Sequence, residues 1–163
     1  MKKLLYILLL ISGFSNAQIV NIPDANFKAK LLAASSNNTI ASINFWPPIN
    51  NQTSAYVKID TNNNGEIEVS EATAIYILDV SSSNISSLIG IEYFTGLRAL
   101  DCSNNQLTSL IYGSNFQFEL NCNNNQLTSF DFTNFNYPLF LQCENNLITS
   151  FDFSTMHFGL GLS

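Results

Sequence analysis

One line of text recurs in this chain and limits what it can fold into. It reads Leu100-Asp-Cys-Ser-Asn-Asn-Gln-Leu-Thr-Ser-Leu110, then Leu120-Asn-Cys-Asn-Asn-Asn-Gln-Leu-Thr-Ser-Phe130, then Leu141-Gln-Cys-Glu-Asn-Asn-Leu-Ile-Thr-Ser-Phe151. The cysteines stand 20 and 21 residues apart. A degenerate copy, Leu78-Asp-Val-Ser-Ser-Ser-Asn-Ile-Ser-Ser-Leu88, sits 22 residues before Cys102, with Val80 in the cysteine slot. A period this short means one small supersecondary unit per repeat, and such a unit buries its apolar face only by stacking on its neighbours.

The pattern L-x-C-x-x-N-x-L at this period is the leucine-rich-repeat signature with cysteine at the third apolar position. Side chains alternate along a strand, so each leucine and the cysteine two residues on face the same side. The spacing predicts an α/β chain built as a short solenoid, with a single parallel sheet of strands near 77–80, 99–102, 119–122 and 140–143. Leu100, Cys102, Leu107, Leu110, Leu120, Cys122, Leu127, Leu141, Cys143 and Ile148 are its expected core. Asn105, Asn125 and Asn146 fall where the chain leaves each strand. A carboxamide both donates and accepts, so it can satisfy backbone groups that stacking buries. Ser83 holds that place in the degenerate copy and is a weaker partner.

The chain opens Met1-Lys-Lys-Leu-Leu-Tyr-Ile-Leu-Leu-Leu-Ile11 and reaches Ser15-Asn-Ala17 before Gln18. A charged start, an apolar run too short to span a bilayer and small residues before a cut read as a secretory signal peptide over 1–17. The mature chain then starts at Gln18, is secreted and has no membrane span. Net charge is −6 with six Lys and Arg, which excludes the basic footprint of a nucleic-acid binder. Export favours disulfides. Three cysteines in one repeating slot, without C-x-x-C spacing or a neighbouring histidine, read instead as small buried core residues.

Residues 18–75 lack the repeat and are assigned to a small helical N-terminal cap, which the exposed first turn of a solenoid requires. Asp24 is the cap of a helix carrying Phe27, Leu31 and Leu32, and Ala55–Ile59 reads as a strand. Phe45 and Trp46 are core anchors of an irregular loop. Inside the cap, Asp60-Thr-Asn62-Asn-Asn64-Gly65-Glu66-Ile67-Glu68-Val-Ser-Glu71 fits the EF-hand loop D-x-[DN]-x-[DN]-G-x5-E at every specified place. A hard Ca²⁺ ion takes six to eight oxygens, which such a loop brings from positions 1, 3, 5, 7, 9 and 12. Asp60, Asn62 and Asn64 offer side-chain oxygens, Glu66 its carbonyl, Glu68 a direct or water-mediated contact, and Glu71 a bidentate carboxylate. Neutral asparagines at two of these places imply a weak structural site; the competing reading is an Asn-rich turn with no ion.

The runs Ile22-Pro-Asp-Ala-Asn-Phe-Lys, Ile59-Asp-Thr-Asn-Asn-Asn-Gly-Glu-Ile and Gly90-Ile-Glu-Tyr-Phe-Thr-Gly-Leu-Arg-Ala-Leu-Asp-Cys-Ser-Asn-Asn-Gln-Leu resemble secreted bacterial leucine-rich-repeat proteins of the internalin-like kind. The resemblance is specific for architecture and weak for activity, because such repeats serve many partners, and it departs from the pattern at the end: the repeats of 76–163 stop without a visible C-terminal cap. The scarcity of catalytic residues, and not the resemblance, makes a non-catalytic surface-interaction module the expected function. Self-association through an uncapped last turn is expected. Phe116, Phe118, Phe130, Phe132, Phe135, Tyr137, Phe151, Phe153 and Phe158 read as convex-side filling.

Catalytic signals are sparse. The repeats hold one arginine, Arg98, and one histidine, His157, the latter with no nucleophile at motif spacing. The candidate ligand face is the outward side of the strands: Asp79, Ser81, Ala99, Asp101, Ser103, Glu119, Asn121, Asn123, Phe140, Gln142 and Glu144, a mildly acidic strip suited to a protein or glycan. The alternative is a calcium-dependent polysaccharide-active enzyme on a parallel β-helix, which needs three strands per coil and basic residues near the ion.

Overall fold

The computed structural model describes residues 17–44, 55–110, 119–132 and 140–151. Within them one five-stranded sheet runs in chain order: β1 (Ala41–Ser42), β2 (Ile77–Asp79), β3 (Ala99–Asp101), β4 (Glu119–Asn121) and β5 (Phe140–Gln142). Strands β2 to β5 are parallel and in strict register, Leu78 beside Leu100, Leu120 and Leu141. The expected all-parallel sheet is corrected at one edge, where β1 pairs with β2 antiparallel. Two residues, Ala41 and Ser42, carry no readable period, yet both are fully buried.

Each strand is only three residues long because the chain turns immediately after the cysteine slot. Asn104, Asn124 and Asn145 take left-handed backbone, φ 55–56°, as does Ser82 at the equivalent place of the first copy. Asparagine tolerates that region better than other side chains, which accounts for the first Asn of each Asn-Asn pair. The second turns inward. Asn105 Nδ2 donates to the carbonyls of Val80, Cys102 and Ser103, while its Oδ1 accepts from the amides of Ser83 and Ile85. Asn125 and Asn146 repeat the three donations one and two turns later, and their Oδ1 atoms accept from the amides of Leu107 and Leu127. An outer ladder runs alongside, Asn145 donating to Asn124 and Asn124 to Asn104.

The core is one column. Leu78, Val80 and Ile85 of the first copy, and Leu100, Cys102, Leu107, Leu120, Cys122 and Leu127 of the next two, are all buried. Leu110, Leu141, Cys143 and Ile148 are only half-buried, against expectation. For the last three the reason is position: among the described residues, β5 has a neighbouring strand on one side only. All three cysteines are free thiols. Burial raises their pKa values, that of Cys102 well above the ordinary thiol value and that of Cys122 to about 12, so they pack as protonated thiols. Phe130 and Phe132 are buried and in contact, ring centroids 4.7 Å apart.

The N-terminal part packs against this column. Helix α1 (Ala25–Leu32) buries Phe27 and Leu31, and Asp24 caps it by accepting from the amides of Asn26 and Phe27. Residues 55–59 are corrected from a strand to a single bridge, Tyr56 with Ser42. The chain from Gln18 to Val20 pairs with the segment before helix α2 (Val69–Ala72) through Val20 N to Ile67 O and Val69 N to Gln18 O. Gly90 closes the junction in left-handed backbone, φ 106°, leading into a 3-10 turn (Ile91–Tyr93). A Cβ there would lie 2.8 Å from Ile22 and 3.0 Å from the carbonyl of Asn21, so only glycine fits. The signal peptide up to residue 16, Phe45, Trp46, His157 and the aromatics at 116, 118, 135, 137, 153 and 158 lie outside the described residues. No helix among the described residues is long and apolar enough to cross a membrane.

Candidate functional site

Two places carry candidate chemistry: the loop of residues 60–71 and the outward face of the sheet.

In the loop, Asp60 is buried and closes the turn, accepting from Asn64 N at 3.1 Å on Oδ1 and from Gly65 N at 3.2 Å on Oδ2. Gly65 has φ 80°, the left-handed value the tight turn requires. Asn62 Oδ1 and Asn64 Oδ1 accept from the amides two residues on, at 3.0 and 2.8 Å. Their Nδ2 groups converge on Glu68 Oε1, at 3.0 and 2.6 Å. Two amide protons thus supply the positive pole facing that oxygen. The other oxygen, Glu68 Oε2, is buried and makes no hydrogen bond. Leaving a buried carboxylate oxygen unpartnered is costly.

Glu71 has a role the sequence does not announce. Its carboxylate accepts from Thr61 N and Thr61 Oγ1, both at 2.7 Å, and from Glu68 N at 3.1 Å. It therefore ties position 2 of the loop to the start of α2. Glu66 points away and pairs with Lys28 of α1 at 2.6 Å. Lys58 donates to Asn63 at the rim. Ile67 is fully buried and anchors the loop to the core. Among the described residues no three His, Cys, Asp or Glu side chains gather on one point. The loop's donors are instead a mixture of carboxylates, carboxamides and backbone carbonyls.

The sheet face presents two registered rows: Ile77, Ala99, Glu119 and Phe140, then Asp79, Asp101, Asn121 and Gln142. Glu119, Phe140 and Gln142 are exposed, with Phe140 at 75% of its full accessibility. The second row is partly structural. Asp79, Asp101 and Asn121 accept from the amides of Ser81, Ser103 and Asn123, two residues on, at 2.9–3.2 Å. Such local bonds start turns, so an oxygen acceptor at this slot is needed whatever the face binds. Asn121 Nδ2 also donates to Asp101 at 3.0 Å. Ser103 is corrected from outward to buried, because the strand ends at Asp101 and alternation stops with it. Arg98 stacks over the Tyr76 ring, 5.8 Å from its centroid.

A residue pair the sequence leaves unconnected joins the N-terminal part to the repeats. Asp24 Oδ2 accepts from Ser86 N, Ser86 Oγ and Ser87 N at 2.7–3.1 Å, across 62 residues or more. One carboxylate therefore caps the helix with one oxygen and holds the first turn with the other.

No protein-family model matches this chain, and no curated protein does. Among solved structures it is similar to the functional domain of InlJ from Listeria monocytogenes, described as including a cysteine ladder. The TM-score is 0.57 at 26% identity, over 86% of this chain and 26% of that one. The fold is thus an internalin-like leucine-rich-repeat fold. This chain spans about a quarter of that protein's solved length.

Proposed function

We propose that the chain is a secreted, non-catalytic binding module that engages a protein or glycan through the outward face of its sheet. The observation that carries this reading is the pair of registered rows ending in exposed Glu119, Phe140 and Gln142. Stacked strands fix the backbone that carries these side chains, which lowers the ordering cost of binding. The likeness to a leucine-rich-repeat protein points the same way. Against the β-helix enzyme, the coil between β2 and β3, described in full, contains a single 3-10 turn and no further strand. Domain limits of 1–17, 18–75 and 76–163 belong to the same proposal.

The test is binding to protein and glycan arrays by the mature chain, beside Glu119→Lys and Phe140→Ser variants. Ligands lost by both variants support the face. Ligands kept by both move the site elsewhere.

The loop of residues 60–71 is proposed as a structural Ca²⁺ site held by Asp60, Asn62, Asn64, Glu66, Glu68 and Glu71. What supports it is the motif together with Glu68 Oε2, a buried carboxylate oxygen that a cation would satisfy. With few charged ligands the expected dissociation constant is on the order of 0.1–1 mM. Millimolar calcium should then stabilise the fold by about 0.5–1.5 kcal/mol. Melting with calcium and with chelator tests this in the wild type and in Glu71→Gln. Because Glu71 also holds Thr61 and α2, the difference between conditions within each protein is the informative quantity. An unchanged wild-type melting point reduces the loop to an Asn-rich turn.

A further inference from the structure

The loop contains the chain's one Asn-Gly sequence, Asn64-Gly65, and both residues are exposed. This dipeptide has its own chemistry. The backbone nitrogen of Gly65 can attack Cγ of Asn64, forming an N–C bond while the Cγ–Nδ2 bond breaks. The amide proton leaves with Nδ2 as ammonia, and a cyclic imide remains. Water then opens the imide at either carbonyl, giving aspartate or its backbone-shifted isomer. Glycine permits this because it has no side chain to shield its nitrogen, and a Cβ built on Gly65 would meet no atom within 4 Å.

We propose that Asn64 is a deamidation site which the folded loop holds in check and whose aspartate product, one of two, strengthens the cation site. The restraint is visible in three bonds. Asn64 Oδ1 is held by Glu66 N at 2.8 Å, and Asn64 Nδ2 by Glu68 Oε1 at 2.6 Å. Gly65 N is engaged with Asp60 Oδ2 at 3.2 Å. Attack requires Cγ to swing onto that nitrogen, which breaks bonds at both ends of the carboxamide. Reaction therefore proceeds from the locally opened loop, in proportion to its population.

The two products have opposite consequences. Aspartate at 64 adds a charged oxygen donor at position 5, and affinity rises with ligand charge. The shifted isomer adds a backbone atom immediately before Gly65, where φ is 80°, and displaces the turn. A spontaneous reaction thus sorts aged molecules into a tighter and a broken loop. This second part rests on the calcium reading above; the restraint by the fold does not.

The experiment incubates the mature chain at mildly alkaline pH in three arms: unfolded in urea, folded with chelator, and folded with calcium. Peptide mass spectrometry follows the conversion of Asn64 beside Asn104 and Asn124 as internal controls. In urea Asn64 should convert first, and Gly65→Ala, compared in urea where fold does not matter, should suppress it. Folding should slow Asn64 at least about tenfold, which about 1.4 kcal/mol of opening cost provides. Equal rates folded and unfolded overturn the proposal. Calcium should slow it further, and Asn64→Asp should bind calcium more tightly by titration calorimetry. Restraint by the fold with no calcium effect in either measurement leaves the modification site standing and sinks the ion reading.

Discussion

The first and last described copies of the repeat carry the same motif and live in different surroundings. At the first copy, Leu78, Val80 and Ile85 are completely buried. At the last, the equivalent Leu141, Cys143 and Ile148 are half-exposed, and Phe140, Leu147 and Phe151 stand at 75, 62 and 40% accessibility. The first copy is also the poorest match to the consensus, with Ser83 for asparagine and Val80 for cysteine. Burial therefore follows position in the stack and not agreement with the motif. β2 is flanked by β1 and β3, and the turn that follows it is held at Ser86 and Ser87 by Asp24, the cap of α1, whereas β5 is flanked by β4 alone among the described residues.

The largest test of this difference is a pair of identical substitutions. Asn105→Ala strands the amides of Ser83 and Ile85 and the carbonyl of Val80, while Cys102 O keeps Asn125 and Ser103 O keeps Ser82, and unsatisfied buried groups cost about 1–3 kcal/mol each before relaxation and water offset them. We expect a loss of about 3 kcal/mol in urea unfolding. The same change at half-exposed Asn146 should cost about 1 kcal/mol, since water reaches the groups it leaves behind. Equal losses would mean the two ends are equally packed.

Gly90→Ala comes next. A Cβ 2.8 Å from Ile22, in a backbone region side chains avoid, should cost about 1–3 kcal/mol. The loss should appear as separation of the N-terminal part: hydrogen exchange at Val20 and Val69 rises while that at Cys122 stays slow. A uniform rise would show that both ends unfold as one.

Asp24→Ala should cost about 1–2 kcal/mol, the helix cap together with the tie to the first turn. Its pH dependence follows from its contacts. Burial alone would raise its pKa, but hydrogen bonds from Phe27, Ser86 and Ser87 outweigh that and hold it below the ordinary 3.8. A carboxylate lowered on folding contributes stability fully above 3.8, and this is lost as pH falls through the lower folded value. The gap between wild type and Asp24→Ala should therefore narrow as pH falls below 3.8 and through the lower folded value. A constant gap down to the acid limit would assign the effect to packing.

The smallest perturbation is chemical labelling of the thiols. The thiolate is the reacting species, so burial protects twice, through access and through the raised pKa. Cys143, half-exposed, should label in the folded protein, while Cys102 and Cys122 wait for unfolding. Ready labelling of Cys102 would place the strands in the wrong register.

Strands β2 to β5 and their register were readable because a repeat states its own period. So were the inward asparagines, since a buried turn needs a side chain that donates and accepts. The helix after Asp24 was readable from its cap and the spacing of Phe27 and Leu31. What could not be read are contacts between distant segments: β1 on β2, and Asp24 on Ser86 across 62 residues. Ser103 misled because alternation was carried one pair beyond a strand that ends at Asp101. In the loop, the tight turn at Gly65 was legible from the motif, but the use of Glu71 to hold Thr61 was not.

The inward asparagines also give the stack a direction. Asn105 accepts from amides of the copy before it, Asn125 from Leu107, and Asn146 from Leu127, always backward along the chain. A copy is thus completed by its successor. The opening copy can drift to serine because its debt is met from downstream, while every later asparagine serves an upstream turn. For duplication by recombination, the unit that can be inserted without leaving an open amide runs from one asparagine to the next. Lengthening the array by such units leaves each amide closed by the copy that follows it.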